Sequence, residues 1–175
     1  MERDVILWAR ISADGFLADE TGSLRALKGH GMEDWEGQVK EQLKEQADTV
    51  ILGRGFYDDL VQASVPWPFE GMECYVATEE FLEDTERVTF WPGDLTELVF
   101  LLKQQPGKGI WMAGGIRMMN AFLSQELADQ YWLSVCPVFL GGGFRLEPLE
   151  GERRLILEEA LECDGVVTNI YFNRA

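Results

Sequence analysis

The order in which apolar segments follow one another limits this chain to few folds. Up to Leu127, short apolar runs typical of buried strands alternate with segments whose apolar side chains recur at helical spacing. After Leu127, three strand-like runs follow without a helical segment among them. Strands that alternate with helices form parallel sheets, whereas consecutive strands pair antiparallel. We therefore predict an α/β fold with three layers (α/β/α), in which the central mixed, mostly parallel sheet ends in antiparallel C-terminal strands.

The individual elements are predicted from periodicity and from residues that begin helices or form turns. Trp35, Val39 and Leu43 recur every fourth residue and mark the inward face of a helix. Asp94 is typical of a helix N-cap, and Asp164-Gly165 is typical of a two-residue hairpin turn. The predicted strands are 5–11, 49–52, 73–77, 87–90, 109–113, 130–138, 153–163 and 166–173, and the predicted helices are 33–46, 54–60, 95–103 and 115–123.

Composition excludes several classes of protein. A chain of 175 residues without repeats or linkers is expected to form one domain, 1–175. The net charge of −16 opposes binding to nucleic acid, which requires clustered Lys and Arg. No apolar run approaches the roughly 18 residues that cross a membrane, and the N-terminal residues do not resemble a signal peptide. We expect a cytoplasmic protein whose partner is a small-molecule substrate.

The cysteines predict buried thiols rather than a metal site. Cys74, Cys136 and Cys163 are far apart, form no CxxC pair and are accompanied by one histidine. We expect no metal, and we expect all three thiols to be buried among apolar strand residues.

Two strand-to-helix junctions contain glycine, Gly53-Arg54 and Gly114-Gly115. Glycine lets the backbone approach a ligand, and the helix that follows directs free N–H groups at an anion. Arg54 would add a cation for a ribose phosphate. The alternatives are that the glycines serve turn geometry alone and that Arg54 forms a surface salt bridge.

Two further residues are candidates for substrate binding. Arg10 interrupts an otherwise apolar strand, so its charge must be paired or must face a cleft. In a cleft, Arg10 would bind an anionic or carbonyl-bearing substrate; the alternative is a pair with one of the many acids. Trp35 is either part of the core or a wall of the pocket.

Three segments resemble signatures of the dihydrofolate reductase superfamily. They are Ser12-Ala13-Asp14-Gly15-Phe16-Leu17-Ala18, Val50-Ile51-Leu52-Gly53-Arg54-Gly55-Phe56-Tyr57 and Ile110-Trp111-Met112-Ala113-Gly114-Gly115. Leu127-Ala128-Asp129, followed by Pro137-Val138-Phe139-Leu140 and three glycines, resembles the riboflavin-biosynthesis (RibD C-terminal domain) reductases, including their stand-alone members. The resemblance implies a dihydrofolate reductase-like fold, an oxidoreductase activity and a homodimer.

The resemblance also implies a cofactor, NADPH with NADH as the alternative. The loop over 14–25 would close over the nicotinamide ring and exclude water. Phe56 stands where the family usually has a small hydroxyl residue, and Glu79 and Glu80 follow Thr78 where a cation or hydroxyl would favour the 2′-phosphate. The implied cofactor residues are Gly53, Arg54, Gly55, Phe56 and Thr78 at the adenosine-phosphate half, Gly114, Gly115 and Ile116 at the pyrophosphate, and Leu17 and Ala18 at the nicotinamide.

A proton donor is the remaining requirement of a reductase. In dihydrofolate reductases a carboxylate on the first helix takes part in protonation, and counting back from Gly53-Arg54 places Gly37 at that position. Asp34 and Glu41, one turn away on either side, are the catalytic candidates; the alternative is that both are solvated helix carboxylates. Arg10, Arg25 and Lys28 are the cations available for a substrate phosphate.

Two functions fit this sequence. The first is an NADPH-dependent reductase of a small heterocyclic or ribose-derived substrate, resembling 5-amino-6-(5-phosphoribosylamino)uracil reductase of riboflavin biosynthesis or dihydrofolate reductase. The alternative is a nucleotide-binding or vestigial protein that keeps the fold without catalysis. The pair of glycine junctions with Arg54 favours the first, whereas Gly37 and Phe56 favour the second.

Overall fold

The computed structural model describes residues 2–18, 20–22, 24, 27 and 33–174. Two compact units are formed, one by Met1–Ile6 with Glu45–Ala128 and the other by Leu7–Lys44 with Asp129–Ala175. The described elements, in chain order, are β1 Val5–Ser12, α1 Glu33–Gln46, β2 Ala47–Gly53, α2 Arg54–Gln62, β3 Glu73–Ala77, β4 Thr89–Trp91, α3 Leu95–Gln104, β5 Gly109–Gly114, α4 Ile116–Ser124, β6 Gln130–Cys136, β7 Leu155–Cys163 and β8 Val166–Asn173.

The predicted mixed sheet is confirmed. Its eight strands follow the order β4-β3-β2-β5-β1-β6-β8-β7. Strand β2 pairs parallel with β3 and β5, and β3 pairs parallel with β4. Strand β8 pairs antiparallel with β6 and β7, as predicted for the C-terminal part.

All element bounds lie within two residues of the prediction, and two of the two-residue differences have clear local causes. Strand β6 ends at Cys136, before Pro137, which cannot donate to a sheet ladder. Strand β4 begins at Thr89, two residues late, because the Thr85 hydroxyl accepts from the backbone N–H groups of Arg87 and Val88 and closes a turn there.

The first unit is anchored by a buried arginine. The Arg3 side chain is 2% exposed and forms an ion pair with Asp48 at 2.6 Å. It also donates to the carbonyl oxygens of Lys108 (2.6 Å) and Leu102 (3.2 Å) and to the hydroxyl of Thr49. A buried guanidinium must have its donors satisfied, so these contacts fix the chain start against β2 and the loop before β5.

The second unit buries the apolar face of α1. Trp35, Val39 and Leu43 are all buried, as the periodicity predicts. Trp35 meets Trp8 of β1 edge to face, with ring centroids 6.2 Å apart. The Trp8 indole donates to Ser134 at 2.9 Å, so its polar atom is satisfied inside the core.

The cysteine prediction is wrong at one position. Cys74 and Cys136 are buried, as expected. Cys163 is only half-buried, because it ends β7 at the edge of the sheet, directly before the hairpin turn. None of the helices in the described part of the chain is long and apolar enough to cross a membrane.

Candidate functional site

The two glycine junctions of the first unit touch each other. A Cβ placed on Gly53 would lie 3.4 Å from the carbonyl oxygen of Gly114 and 3.6 Å from the amide nitrogen of Gly115. Gly53 caps α2 and Gly115 caps α4; neither cap has a side-chain hydrogen bond, and neither first turn contains an acid. Two helix starts with free N–H groups therefore meet, which is an arrangement suited to an anion.

A groove of about 550 Å³ lies in the same unit. Arg117, the second residue of α4, reaches it and forms no ion pair with any described residue. The lining comprises two arginines, three carboxylates and three uncharged residues: Arg54, Arg117, Asp58, Glu79, Glu80, Ala77, Thr78 and Gly93. The groove thus combines a cation available to a ligand with an excess of negative charge.

Arg54 is held in this groove by three neighbours. Its Nε donates to Asp58 Oδ1 at 3.0 Å and to Oδ2 at 3.2 Å. Its Nη1 donates to Thr78 Oγ1 at 3.2 Å and to Glu80 Oε2 at 3.3 Å. Hydrogen bonds to Asp58 and then Glu80 raise the pKa of the Arg54 guanidinium. Arg54 therefore forms salt bridges and also lines the groove. Of the two roles considered from the sequence, a surface salt bridge is observed, and a cation for a ribose phosphate stays a prediction.

The other residues of these junctions provide shape rather than charge. A Cβ on Gly114 would lie 3.8 Å from the ring of Phe56, so this ring packs where the family usually has a hydroxyl. A Cβ on Gly55 would meet no atom within 4 Å, and Ile116 is half-buried at the start of α4. Phe56 cannot contact a phosphate through its side chain, as the sequence indicates.

In the second unit, Leu17 and Ala18 are fixed by the segment around Phe144. The Leu17 amide donates to the Phe144 carbonyl at 2.7 Å, and the Phe144 amide donates to the Ala18 carbonyl at 3.0 Å. Both residues are buried. A role at the nicotinamide stays a prediction for this pair.

The start of the 14–25 loop is tied down by Asp14. Its carboxylate accepts from the Ser12 hydroxyl at 2.5 Å, the Leu140 amide at 3.0 Å and the Gly141 amide at 2.8 Å. These bonds, led by Ser12, outweigh desolvation and lower the pKa of Asp14 to about 2. Residues 19, 23 and 25 of this loop lie outside the described part of the chain, as do Lys28 and His30, so loop closure stays a prediction.

Arg10 is paired with Glu36, a carboxylate that the sequence pattern does not single out. Its Nη1 lies 3.0 Å from Glu36 Oε1, and the two side chains are 18% and 12% exposed. The guanidinium also lies 4.7 Å from the centroid of the Trp8 ring, and Lys40 lies 3.6 Å from the other Glu36 oxygen. The alternative of a paired Arg10 is thus observed, and Glu36 is the α1 carboxylate next to it.

The predicted carboxylates on α1 are less well placed. Asp34 and Glu41 are exposed, and a catalytic role for either stays a prediction. Trp35 is 1% exposed and belongs to the core, although its Nε1 has no hydrogen-bond partner among the described residues. The sequence indicates only that Arg10 needs an acidic partner, because a charge in an apolar strand must be paired; the fold identifies that partner as Glu36.

Known proteins share this fold. A putative riboflavin biosynthesis protein from Shewanella sp. PV-4 matches with a TM-score of 0.82 at 22% identity, covering 98% of this chain and 99% of that one. Dihydrofolate reductase from Enterococcus faecalis matches with a TM-score of 0.67 at 11% identity over the full length of both chains. These likenesses identify the fold as dihydrofolate reductase-like.

A bifunctional enzyme has the same fold in part of its chain. The diaminohydroxyphosphoribosylaminopyrimidine deaminase/5-amino-6-(5-phosphoribosylamino)uracil reductase from Thermotoga maritima matches with a TM-score of 0.73 at 16% identity. The match covers 99% of this chain and 57% of that one.

Sequence comparison gives the family. The uncharacterized protein YwjB of Bacillus subtilis (strain 168) is 32% identical over 181 residues, covering all of both chains. The family model described as the RibD C-terminal domain matches residues 3–168. This match spans nearly the whole chain, and the protein therefore belongs to the RibD C-terminal domain family.

Proposed function

We propose that this protein is a reductase that uses a reduced nicotinamide dinucleotide, NADPH or NADH, to reduce a small heterocyclic or ribose-derived substrate. The observation that carries the proposal is the contact between Gly53 and the Gly114-Gly115 junction, which brings two uncapped helix starts together beside Arg117. Membership of a family of reductase domains supports the reaction type.

The first unit fits the phosphate and ribose parts of such a cofactor. Free N–H groups at the starts of α2 and α4 stabilise negative charge, and glycine keeps side chains away from an approaching diphosphate. Arg117 adds a cation that no described residue neutralises. When bound, the dinucleotide would supply hydride; the residues of this unit would bind and orient its phosphates.

The second unit contains the groups that we propose to transfer or position a proton. Glu36 is the carboxylate that is mostly buried and fixed by Arg10, so its position is defined more closely than that of an exposed acid. The Arg10 guanidinium lies 3.0 Å from the Glu36 carboxylate and holds it in one position, which suits a group that orients or accepts a proton-carrying substrate atom. We propose Glu36 in this positioning or proton-handling role, with Arg10 beside it.

The substrate class follows from the same pair and from the family. A carboxylate next to a guanidinium matches a heterocycle or sugar derivative that carries both N–H donors and carbonyl or anionic acceptors. The Thermotoga neighbour is described as acting on a compound of this kind, a phosphoribosylamino-substituted uracil. We propose such compounds, together with pterins, as the first substrates to test.

A nucleotide-binding protein without catalysis is the second candidate. The observation in its favour is that Glu36 is already neutralised by Arg10 and approached by Lys40, while Asp34 and Glu41 are exposed. In that case the first unit would bind a dinucleotide and no turnover would follow.

Calorimetric titration with NADPH and NADH tests the proposal. Saturable binding that weakens at least about tenfold in Arg117→Ala would support it, since each good charge-assisted contact is worth about 1.5–3 kcal/mol. Arg154→Ala is the matched control, because Arg154 is 70% exposed and pairs only locally with Glu152 among the described residues. If neither NADPH nor NADH binds, the proposed reductase function is excluded.

Turnover separates the two candidates. Oxidation of the bound dinucleotide would be followed by absorbance with pterins, aminopyrimidines and phosphoribosylaminouracil compounds. Turnover with any of these compounds would establish a reductase. Tight nucleotide binding without turnover across the whole series would favour the non-catalytic protein.

A further inference from the structure

We infer that the groove around Arg54 accepts a ribose with a free 2′-hydroxyl, so that the protein prefers NADH over NADPH, with Glu80 as the residue that sets this preference. The inference rests on the proposed function, because it names which dinucleotide the same site takes.

The first step is the charge of the groove. Two arginines face three carboxylates there, Asp58, Glu79 and Glu80. Both Asp58 and Glu80 are bonded to Arg54, at 3.0 Å and 3.3 Å. The guanidinium is therefore already neutralised by protein groups before any ligand arrives.

The second step is the geometry that holds Glu80 in place. The Thr78 hydroxyl accepts from Arg54 Nη1 at 3.2 Å and also from the backbone amide of Glu80 at 3.2 Å. Thr78 thus links the arginine to the backbone that carries the carboxylate. Glu80 remains 68% exposed, so its unused oxygen is accessible to a ligand.

The third step is the chemistry of the two cofactors. A 2′-phosphate carries a charge of about −1.5 to −2 at neutral pH and needs cations with free donors. A ribose 2′-hydroxyl instead donates to a carboxylate, which is the general means by which acidic residues select NAD over NADP. Arg54 is bonded to two carboxylates, and Glu79 is unpaired among the described residues, so the part of the groove around Arg54 matches the hydroxyl and repels a phosphate. Arg117, at the start of α4, is assigned to the diphosphate instead.

Both dinucleotides share the diphosphate, so the helix starts and Arg117 contribute equally to the two affinities. The difference between the cofactors falls on the groups around Arg54. The ratio of the NADH affinity to the NADPH affinity therefore reports on the groups around Arg54 and not on the diphosphate site.

The experiment measures the dissociation constants of NADH and NADPH for the wild-type protein, Glu80→Gln and Glu83→Gln at low and high salt. We expect the wild type to bind NADH at least about tenfold more tightly, and Glu80→Gln to reduce this ratio several-fold by improving NADPH binding. Glu83→Gln removes the same charge from an exposed residue of the same loop outside the groove and should leave the ratio unchanged. At high salt the ratio of the NADH affinity to the NADPH affinity should approach one, because the charged side chains around Arg54 are exposed and the salt screens them.

A second variant distinguishes a change in cofactor preference from a general disturbance of the site. Asp58→Asn releases Arg54 from its other carboxylate and should also improve NADPH binding, whereas a loosened loop would weaken both nucleotides together. Tighter binding of NADPH than NADH by the wild type would overturn the inference and leave the reductase standing. An unchanged ratio in Glu80→Gln would overturn the role of Glu80. Binding of neither nucleotide by any variant would instead reject the proposed function itself.

Discussion

Arg10 on β1 and Glu36 on α1 form an ion pair of 3.0 Å in which neither side chain is more than one-fifth exposed. The pair joins the strand to the helix within the second unit, and the Trp8 ring lies under the guanidinium. A charge this far from water depends on its partner, because removal of one member leaves the other poorly solvated. Glu36 is for this reason a structural residue as well as the carboxylate that we propose for proton handling.

Replacement of Glu36 by glutamine should affect stability and turnover together. We expect Glu36→Gln to lower the free energy of unfolding by about 1–3 kcal/mol, because Arg10 loses its charged acceptor. The rate of reduction should fall about 100-fold if Glu36 handles the proton. Urea denaturation and kcat measurements check the two effects. Glu41→Gln, an exposed acid on the same helix, is the control, and full turnover in Glu36→Gln with loss in Glu41→Gln would restore Glu41 as the catalytic candidate.

Arg3 should be the arginine whose loss costs most stability in the first unit. Arg3→Met keeps the apolar volume but removes the guanidinium that donates to Asp48, Thr49 and two carbonyl oxygens. Asp48 keeps the Lys108 amide and the Thr49 hydroxyl as donors. Because Asp48 is 42% exposed and can recover water, we expect a loss of about 3 kcal/mol, at the lower end for a broken buried pair. Chemical denaturation measures the change in the free energy of unfolding. Arg154→Met is the control; Arg154 forms an exposed ion pair with Glu152, and its loss should change stability by less than about 0.5 kcal/mol.

Stability should depend on pH through Asp14. Its pKa of about 2 in the folded protein lies below the ordinary value of 3.8. The carboxylate therefore contributes its stabilisation fully above pH 3.8, and the contribution is lost as the pH falls from 3.8 through 2. Urea midpoints across this range should fall more steeply for the wild type than for Asp14→Asn. Parallel curves for the two proteins would show that Asp14 does not carry the dependence.

The three thiols should differ in reactivity. Burial raises the pKa of Cys74 and of Cys136 to about 11, so neither is ionised at neutral pH. Cys163 is half-buried at the end of β7 and should react first with a thiol reagent, although its pKa is also raised. Mass spectrometry after brief labelling should find one modified cysteine in the folded protein. Cys163→Ser should remove that rapid reaction, and rapid labelling of Cys74 or Cys136 in this variant would contradict the expectation.

We propose that the protein is a homodimer that associates through β7. This strand ends the sheet and exposes Leu155, Ile156 and Leu157, which are 39%, 51% and 52% exposed. An edge strand that begins with three exposed apolar side chains is a liability unless another chain covers them. Sedimentation should show a dimer, and Leu157→Lys should raise its dissociation constant at least about tenfold. Val61→Lys, at an apolar side chain 57% exposed on α2, should not do so.

Local signals made much of the fold predictable. The fourfold spacing of Trp35, Val39 and Leu43 marks α1, and the Asp94 side chain accepts from the Glu97 amide as expected of an N-cap. The hairpin turn is confirmed too, since Asp164 and Gly165 both have positive φ angles of 52° and 80°. These features depend on neighbours in sequence, which is why they can be read without the structure.

The site was less predictable, because its contacts join residues far apart in sequence. Arg54 was expected in a phosphate site, yet its bond to Glu80 spans 26 residues. The pair between Arg10 and Glu36 also spans 26 residues. Sequence patterns indicated which residues matter, whereas their partners required the fold.

The position of β8 has a consequence for synthesis of the chain. Strand β7 precedes β8 in sequence, and among the described strands β8 is its only neighbour in the sheet; β8 also pairs with β6 along Gln130–Val135. Until residues 166–173 have emerged from the ribosome, β7 has no ladder to join and β6 lacks one of its two neighbours. The second unit should therefore stay incomplete on the ribosome, and a nascent chain arrested before residue 166 should be digested there by proteases.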